Sequence, residues 1–348
     1  ISNHHDAVAV SRPHRLQSGC PLGPFSEERA MQYRRLGRSN IRVSEVGFGA
    51  WAIGGPLQVG SHPFGWGPVD EADARSAIRK ALELGINFFD TADVYGLGRS
   101  EELLGEELKG RDAVIATKAG KIRSEEGENR RDFSKRYLTE AVEKSLRRLQ
   151  RDTIDVFQLH NPSKEIIGDG ECMEALEELR QAGKIRATGV SIQGPEDGLA
   201  LLTGPVSPDT LQLVYNLINT RMAKDVLPLA LEEDVGVISR VPFQYGVLTG
   251  KFEKDATFHE DDHRTWSLKP EIIERGNQLL ETLSPQLKPP GLKPALFALK
   301  FVLAHPSISV TIPGARNPGQ VEENASVSDG QHLPPALIRS IGEMQVSA

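Results

Sequence analysis

The chain has 348 residues, of which 39% are hydrophobic and 33 are glycine, a balance that excludes a disordered polymer and leaves room for one large domain or two ordinary ones. Lys plus Arg total 41 against 48 Asp plus Glu, a net charge of −7 without a basic block, which argues against general nucleic-acid binding and leaves room for a local anion site. No apolar run approaches the ~20 residues that cross a bilayer. Two cysteines, Cys20 and Cys172, are too few for a disulfide framework and point to a reducing cytoplasm.

Residues 1–30 lack strand or helix periodicity and the apolar core of a secretory signal, and His4, His5 and His14 fit no metal-ligand spacing. They read as an N-terminal extension or tail before a natural start at Met31, with residues 31–348 as one domain. Short apolar, β-branched runs then recur at Val46–Gly49, Asn87–Asp90, Ala113–Lys118, Ile154–His160, Ala187–Ser191, Leu211–Tyr215, Gly236–Ser239 and Ser309–Ile312. That is the signature of parallel strands buried on both faces. Amphipathic helices are predicted between them at Asp70–Leu84, Lys135–Leu149, Glu171–Gln181, Pro195–Leu202, Met222–Leu231, Pro270–Leu283 and Pro294–Ala304. Eight strands alternating with helices predict an α/β protein of the (β/α)8 TIM-barrel type. A doubly wound sheet is the rival, because Gly47-Phe48-Gly49-Ala50-Trp51-Ala52 satisfies a dinucleotide-binding pattern. That pattern needs a helix N-terminus to receive the pyrophosphate, and the prolines at 56, 63 and 68 predict that none begins there.

In a barrel the chemistry sits at the C-terminal strand ends. Asp90 ends the second run, Tyr95 lies in the loop after it, Lys118 ends the third and His160 ends the fourth. Each alone reads as a rim residue or half of a structural ion pair; together at one mouth they read as machinery for moving a proton to a carbonyl. An ammonium beside a tyrosine lowers its pKa, a carboxylate holds the ammonium, and an imidazole orients the carbonyl oxygen. Making an alkoxide also needs a hydride, which no side chain supplies, so a nicotinamide cofactor is implied.

The segments GINFFDTADVYGLGRSEELLGEEL, ATK, LQLH and GKIRATGVS, in this order, resemble the aldo-keto reductase superfamily from about Tyr33 to the C-terminus. The layout is most similar to bacterial members acting on sugars, inositols or small aldehydes. The resemblance implies a (β/α)8 barrel, NAD(P)(H)-dependent carbonyl chemistry, and a catalytic tetrad of Asp90, Tyr95, Lys118 and His160 with Tyr95 as general acid. It places Ser191 and Gln212 on the nicotinamide carboxamide, where Ile192 after the GVS serine leaves one contact either missing or supplied by Gln193. It assigns PFQYGVLTGKF to the pyrophosphate loop through Pro242, Phe243, Tyr245, Gly246, Leu248, Gly250 and Lys251. IPGARNPGQVEEN matches the adenine and 2′-phosphate segment through Gly314, Arg316, Gln320, Glu323 and Asn324, and the Arg316 fork favours NADP(H) over NAD(H).

Two positions depart from the family pattern: Ile192 follows the GVS serine where asparagine or serine is usual, and Arg240 stands where an aromatic often stacks on the nicotinamide. A cation there disfavours the oxidised ring and favours carbonyl reduction. Trp51, Phe64, Trp66, Asn161 and Trp266, on or beside the long segments 50–69, 119–134 and 241–269, are the candidate substrate residues, with Trp51 also beside the cofactor. Tryptophan next to polar groups suits a sugar, and the acidic balance argues weakly against a highly anionic substrate. No metal is expected. The leading reading is an NADPH-dependent reductase of a small-molecule carbonyl. The rivals are a regulatory cofactor-binding subunit, like potassium-channel β-subunits, and a Schiff-base aldolase using Lys118.

Overall fold

All eight apolar runs form strands in the computed structural model, which describes residues 30–124, 126–287 and 292–346. Residues 1–29, with Cys20, lie outside the described residues. The strands are β1 (Phe48–Gly49), β2 (Phe88–Asp90), β3 (Val114–Ala119), β4 (Ile154–His160), β5 (Ile185–Ser191), β6 (Thr210–Val214), β7 (Gly236–Arg240) and β8 (Ile308–Ile312). Each pairs in parallel with its neighbours in chain order. Parallel bridges Val46 to Thr311 and Gly49 to Gly314 join β1 to β8, so the sheet closes on itself as a (β/α)8 barrel.

Side chains alternate along a strand, and this parity sorts the barrel into two apolar regions. Phe88, Val114, Ala116, Val156, Ala187, Ile238 and Val310 fill the interior, together with Leu36, Ile41 and Val43 from an N-terminal hairpin. The opposite faces, including Phe89, Ile115, Phe157 and Leu159, pack under the surrounding helices. Toward the C-terminal ends the interior positions become polar, with Asp90, Lys118, Gln158, His160, Ser191 and Gln212 all buried. Depth and burial are thus set by ladder register, and the chemistry occupies the last layer.

The helices Lys135–Leu149, Glu171–Gln181 and Pro195–Leu202 have the expected bounds, and the first is capped by Ser134 accepting from Tyr137 N at 3.3 Å. After β1 the chain makes a short 3-10 turn, Ala50–Ile53, and no α-helix begins before Glu71, where Asp70 caps the helix Glu71–Glu83. The dinucleotide pattern at Gly47 therefore has no helix end to work with.

Two expectations are corrected, and one helix, Arg99–Glu107, lies outside the predicted set. Lys118 is the penultimate residue of its strand, which runs on to Ala119 and aims Lys118 inward with Val114 and Ala116. The helix expected at Met222–Leu231 splits into a 3-10 turn, Arg221–Ala223, and a helix, Val226–Glu232. Pro228 is tolerated only in a first helical turn, so the helix starts two residues before it. The helix Arg99–Glu107 lacks a strong apolar stripe: its buried face includes Glu101, which accepts from Arg148 Nε at 2.6 Å and Thr117 Oγ1 at 2.5 Å.

Candidate active site

The interior polar layer converges on Asp90. Lys118 Nζ donates to Asp90 Oδ1 at 2.7 Å and to the Thr91 carbonyl at 2.6 Å. Gln212 Nε2 and Gln158 Nε2 donate to Asp90 Oδ2 at 2.7 and 3.2 Å. A buried ion pair is stable only when its spare donors and acceptors are met, and these amides meet them. Gln158 reaches Asp90 because its neighbour on β5 is Gly189: a Cβ there would lie 2.7 Å from Gln158 Cγ and 2.5 Å from Thr210 Oγ1.

Tyr95 begins a tight turn, Tyr95–Gly98, with positive φ at Gly96, Leu97 and Gly98. A side chain at Gly96 would strike the Gly54 carbonyl at 1.9 Å, so glycine lets the turn seat against the loop after β1. Lys118 Nζ lies 5.2 Å from the Tyr95 ring centroid, and the His160 ring meets Tyr95 edge-on at 6.1 Å. Burial pushes the Tyr95 hydroxyl above its ordinary pKa, and Lys118 is the largest influence pulling the other way. The expected net lowering is therefore not what the site shows: desolvation outweighs the ammonium, and the phenol stays protonated at neutral pH. His160 is held well below its ordinary value, first by burial and then by Lys121 and Lys118, so its imidazole is neutral. Its Nδ1 is buried without a hydrogen-bond partner.

These groups form one wall of a cavity of about 1040 Å³. Of the residues singled out from the sequence, Trp51, Phe64, Trp66, Asp90, Tyr95, His160, Asn161, Ser191, Gln193, Gln212, Arg240 and Trp266 line it. So do Pro242, Phe243, Tyr245, Gly246, Lys251, Gly314, Arg316, Gln320, Glu323 and Asn324. Lys118 lies behind the wall, Leu248 is fully buried, and Gly250 follows the 3-10 turn Val247–Thr249 without lining the cavity. Ile192 is in the core, leaving Gln193 as the cavity residue of that pair. Arg240 donates from Nη2 to the Ile192 carbonyl at 3.1 Å, and its Nε is buried and unpaired.

The cavity roof is aromatic. Trp51 stacks on Tyr95 at 5.8 Å and packs on Trp66 at 5.3 Å and His263 at 4.5 Å. Trp51 Nε1 donates to the Phe64 carbonyl at 3.2 Å, and Trp266 Nε1 to the Pro63 carbonyl at 2.7 Å. The Arg316 guanidinium, from the loop after β8, donates to the Trp66 carbonyl at 3.1 Å.

Sequence reasoning missed Lys121, Arg123, His263, Arg264 and Lys293 on the cavity lining, and Gln158 behind it. Gln158 was findable, being the polar residue two before His160 on an otherwise apolar strand. Lys121 and Arg123 share one face at spacing two, just past β3. His263 carried no local signal; it enters through its contact with Gly65, whose carbonyl faces its Nδ1 at 3.0 Å.

A parallel eight-stranded barrel with an Asp–Lys pair, a tyrosine and a histidine at the C-terminal mouth defines an oxidoreductase-type barrel. The model of the Aldo/keto reductase family matches residues 45–344, and the chain belongs to that family, whose members are oxidoreductases that bind nicotinamide cofactors. It is similar to the aldo-keto reductase YhdN of Bacillus subtilis, 33% identical over 307 residues covering 86% of this chain and 89% of the relative. The solved glycerol dehydrogenase AKR11B4 of Gluconobacter oxydans superposes with a TM-score of 0.76 at 31% identity, covering 92% of this chain and 96% of that one. A probable voltage-gated potassium channel subunit beta of Oryza sativa is 27% identical over 315 residues, covering 86% of this chain and 92% of the relative.

Proposed function

We propose that the chain reduces an aldehyde or ketone to the alcohol with NADPH. The observation that carries this reading is the wall itself: a protonated Tyr95 faces the cavity above a Lys118–Asp90 pair, with a neutral His160 beside it. The donor set fits a dinucleotide. The Ser191 hydroxyl and the Gln212 amide suit a carboxamide, and Lys251, Lys293 and Arg316 offer cations along the same cavity. The cofactor, when bound, supplies the hydride.

Tyr95 gives its phenolic proton to the carbonyl oxygen. Lys118, held by Asp90, stabilises the tyrosinate left behind, and His160 orients the carbonyl oxygen. Trp51, stacked on Tyr95, keeps water away from that face. A guanidinium at Arg240 disfavours the positively charged nicotinamide and biases the bound couple toward reduction; Arg240→Tyr is expected to raise the affinity for NADP+ relative to NADPH. The aromatic roof with polar groups beneath suits a sugar or sugar-derived carbonyl, whose C–H face stacks while its hydroxyls hydrogen-bond.

The test is NADPH oxidation against a panel of aldoses and simple aldehydes. Tyr95→Phe is expected to lower kcat by ~10²–10⁴ with little change in KM. Cofactor binding without turnover across the panel would support instead a docking subunit, the reading that the potassium-channel relative favours. The aldolase reading has no geometric support, because a Schiff-base lysine must be neutral and reach the cavity, and Lys118 is ion-paired behind the wall.

A further inference from the structure

Beyond the reaction wall the cavity holds more positive charge than carbonyl reduction requires. Lys121 and Arg123 lie on one face of a short strand, Lys121–Arg123, that pairs with Asn129–Arg131, and both line the cavity. The Arg123 guanidinium is pinned 3.9 Å from the Phe64 ring centroid, and its Nε is buried without a partner. In the amide orientation that matches donors to acceptors, Asn161 accepts from Lys121 Nζ at 3.1 Å and donates to Ser191 Oγ at 2.8 Å. Lys121 is thereby tied to the residue next to His160.

Among the described residues no carboxylate forms an ion pair with either cation. After burial and the Tyr95 hydroxyl, the carboxyl that Arg123 feels is Asp93, and burial, with Glu101 nearby, pushes that carboxyl up to about 8, so it is largely neutral at pH 7. Lys121 meanwhile faces Arg123, Arg240, Arg131 and Lys118; burial first, and then these cations, lower its ammonium to about 7. His160 feels Lys121, Lys118, Arg123 and Arg240 together, so the excess charge surrounds the reacting centre. Lys118 has Asp90, and Arg240 lies with the nicotinamide residues. Lys121 and Arg123 are left over, just after β3 and across the barrel from β7, whose following loop carries Lys251.

We infer that Lys121 and Arg123 form an anion subsite within the reaction cavity, and that the carbonyl substrate carries a carboxylate within a few carbons of its reacting group. This inference rests on reading the cavity as a carbonyl-reduction site. A carboxylate fits better than a phosphate dianion because one preorganised guanidinium edge and one half-titrated amine match a single planar monoanion. The acidic balance of the whole chain does not oppose this, since the field in a cleft is set by its own lining.

The experiment uses the NADPH-loaded protein and matched pairs: 4-oxobutanoate against butanal, glucuronate against glucose, and glyceraldehyde 3-phosphate against glyceraldehyde. The carboxylates are expected to have kcat/KM roughly ten- to a hundredfold above their neutral partners. That advantage should fall as pH rises through about 7 and Lys121 loses its proton. Lys121→Met and Arg123→Met should collapse the ratio toward one. Lys121→Arg, which keeps the charge without titrating in this range, should hold the ratio and abolish its alkaline decline. Calorimetry with unreactive butanoate and the NADP+-loaded protein reads the same subsite without turnover. Neutral aldehydes turned over as well as their carboxylate partners would overturn the inference and leave the reductase reading standing, as would a preference confined to the phosphate. Failure of every carbonyl compound would overturn the reductase reading, and butanoate binding that depends on Lys121 would then still establish the anion subsite.

Discussion

The two sides of the cavity are built on different principles. Apart from Tyr95 in its turn, the reaction wall is carried by β2 to β6, where ladder register fixes each side chain and both Asp90 oxygens are met by Lys118, Gln158 or Gln212. The roof is carried by loops, where Trp51, Trp66, His263 and Trp266 are held by ring contacts and single bonds to backbone carbonyls. The Lys118–Asp90 pair and the His160 imidazole that act on Tyr95 sit on the rigid framework, and Tyr95 itself sits in the turn seated against the loop after β1. Groups that shape and enclose a ligand sit on segments joined across more than a hundred residues of sequence. A ladder resists displacement because moving one residue breaks the pairing of its neighbours, whereas a ring contact yields with little penalty elsewhere.

Breaking the wall should have the largest effect. Lys118→Met leaves the Asp90 carboxylate buried without a cation, and urea unfolding is expected to show a loss of about 3–5 kcal/mol together with a collapse of kcat. The double variant with Asp90→Asn should recover part of the stability and none of the turnover. Recovery of turnover would show that the pair acts only structurally.

Acid should loosen the roof next. Burial lowers the His263 imidazole from 6.5 to about 4, so the unfolded chain binds a proton in that interval that the folded chain refuses. Its stabilising contribution is complete above 6.5 and is lost as pH falls toward 4, a total on the order of 3 kcal/mol. His160 and His305 are also held low and add to the slope. His263→Gln isolates its own share: the difference between the two unfolding profiles should be constant above 6.5 and shift against the native chain by this amount as pH falls toward 4. Parallel profiles would place the imidazole outside this linkage.

A smaller change on the wall separates packing from chemistry. Gly189→Ala forces a methyl against Gln158 and Thr210, at about 1–3 kcal/mol of stability, and displaces an amide that supports Asp90. A fall in kcat at unchanged KM would show that the support reaches Tyr95 through Asp90 and Lys118. The smallest effect on stability belongs to Arg316→Ala, within about 0.5 kcal/mol. Its signature is selective: KM should rise roughly ten- to a hundredfold for NADPH and much less for NADH. Equal changes for both cofactors would remove Arg316 from 2′-phosphate recognition.

The wall was largely legible in the sequence, and the roof was not. Asp90, Lys118 and His160 stand out as polar residues at the ends of apolar strands, and strand parity alone sends them into the barrel. Lys118 is expected in the last place of its strand and holds the one before it, because pairing with Leu159 carries the ladder on to Ala119. Trp51, Trp66 and Trp266 were picked out as aromatic loop residues. Their partner His263 was not, because nothing near it in the chain distinguishes it from an exposed histidine.

By itself the sequence determined the alternation of strand and helix, the barrel and the inward set of polar residues, because those follow from periodicities of two and 3.6 that local residues impose. Only the tertiary structure decided protonation and charge: that Tyr95 stays a neutral acid, that Asp93 fails to neutralise Arg123, and that Lys121 faces four other cations. Desolvation and Coulomb forces depend on what lies across the cavity, and the chain brings those neighbours together from positions with no sequence relation to one another.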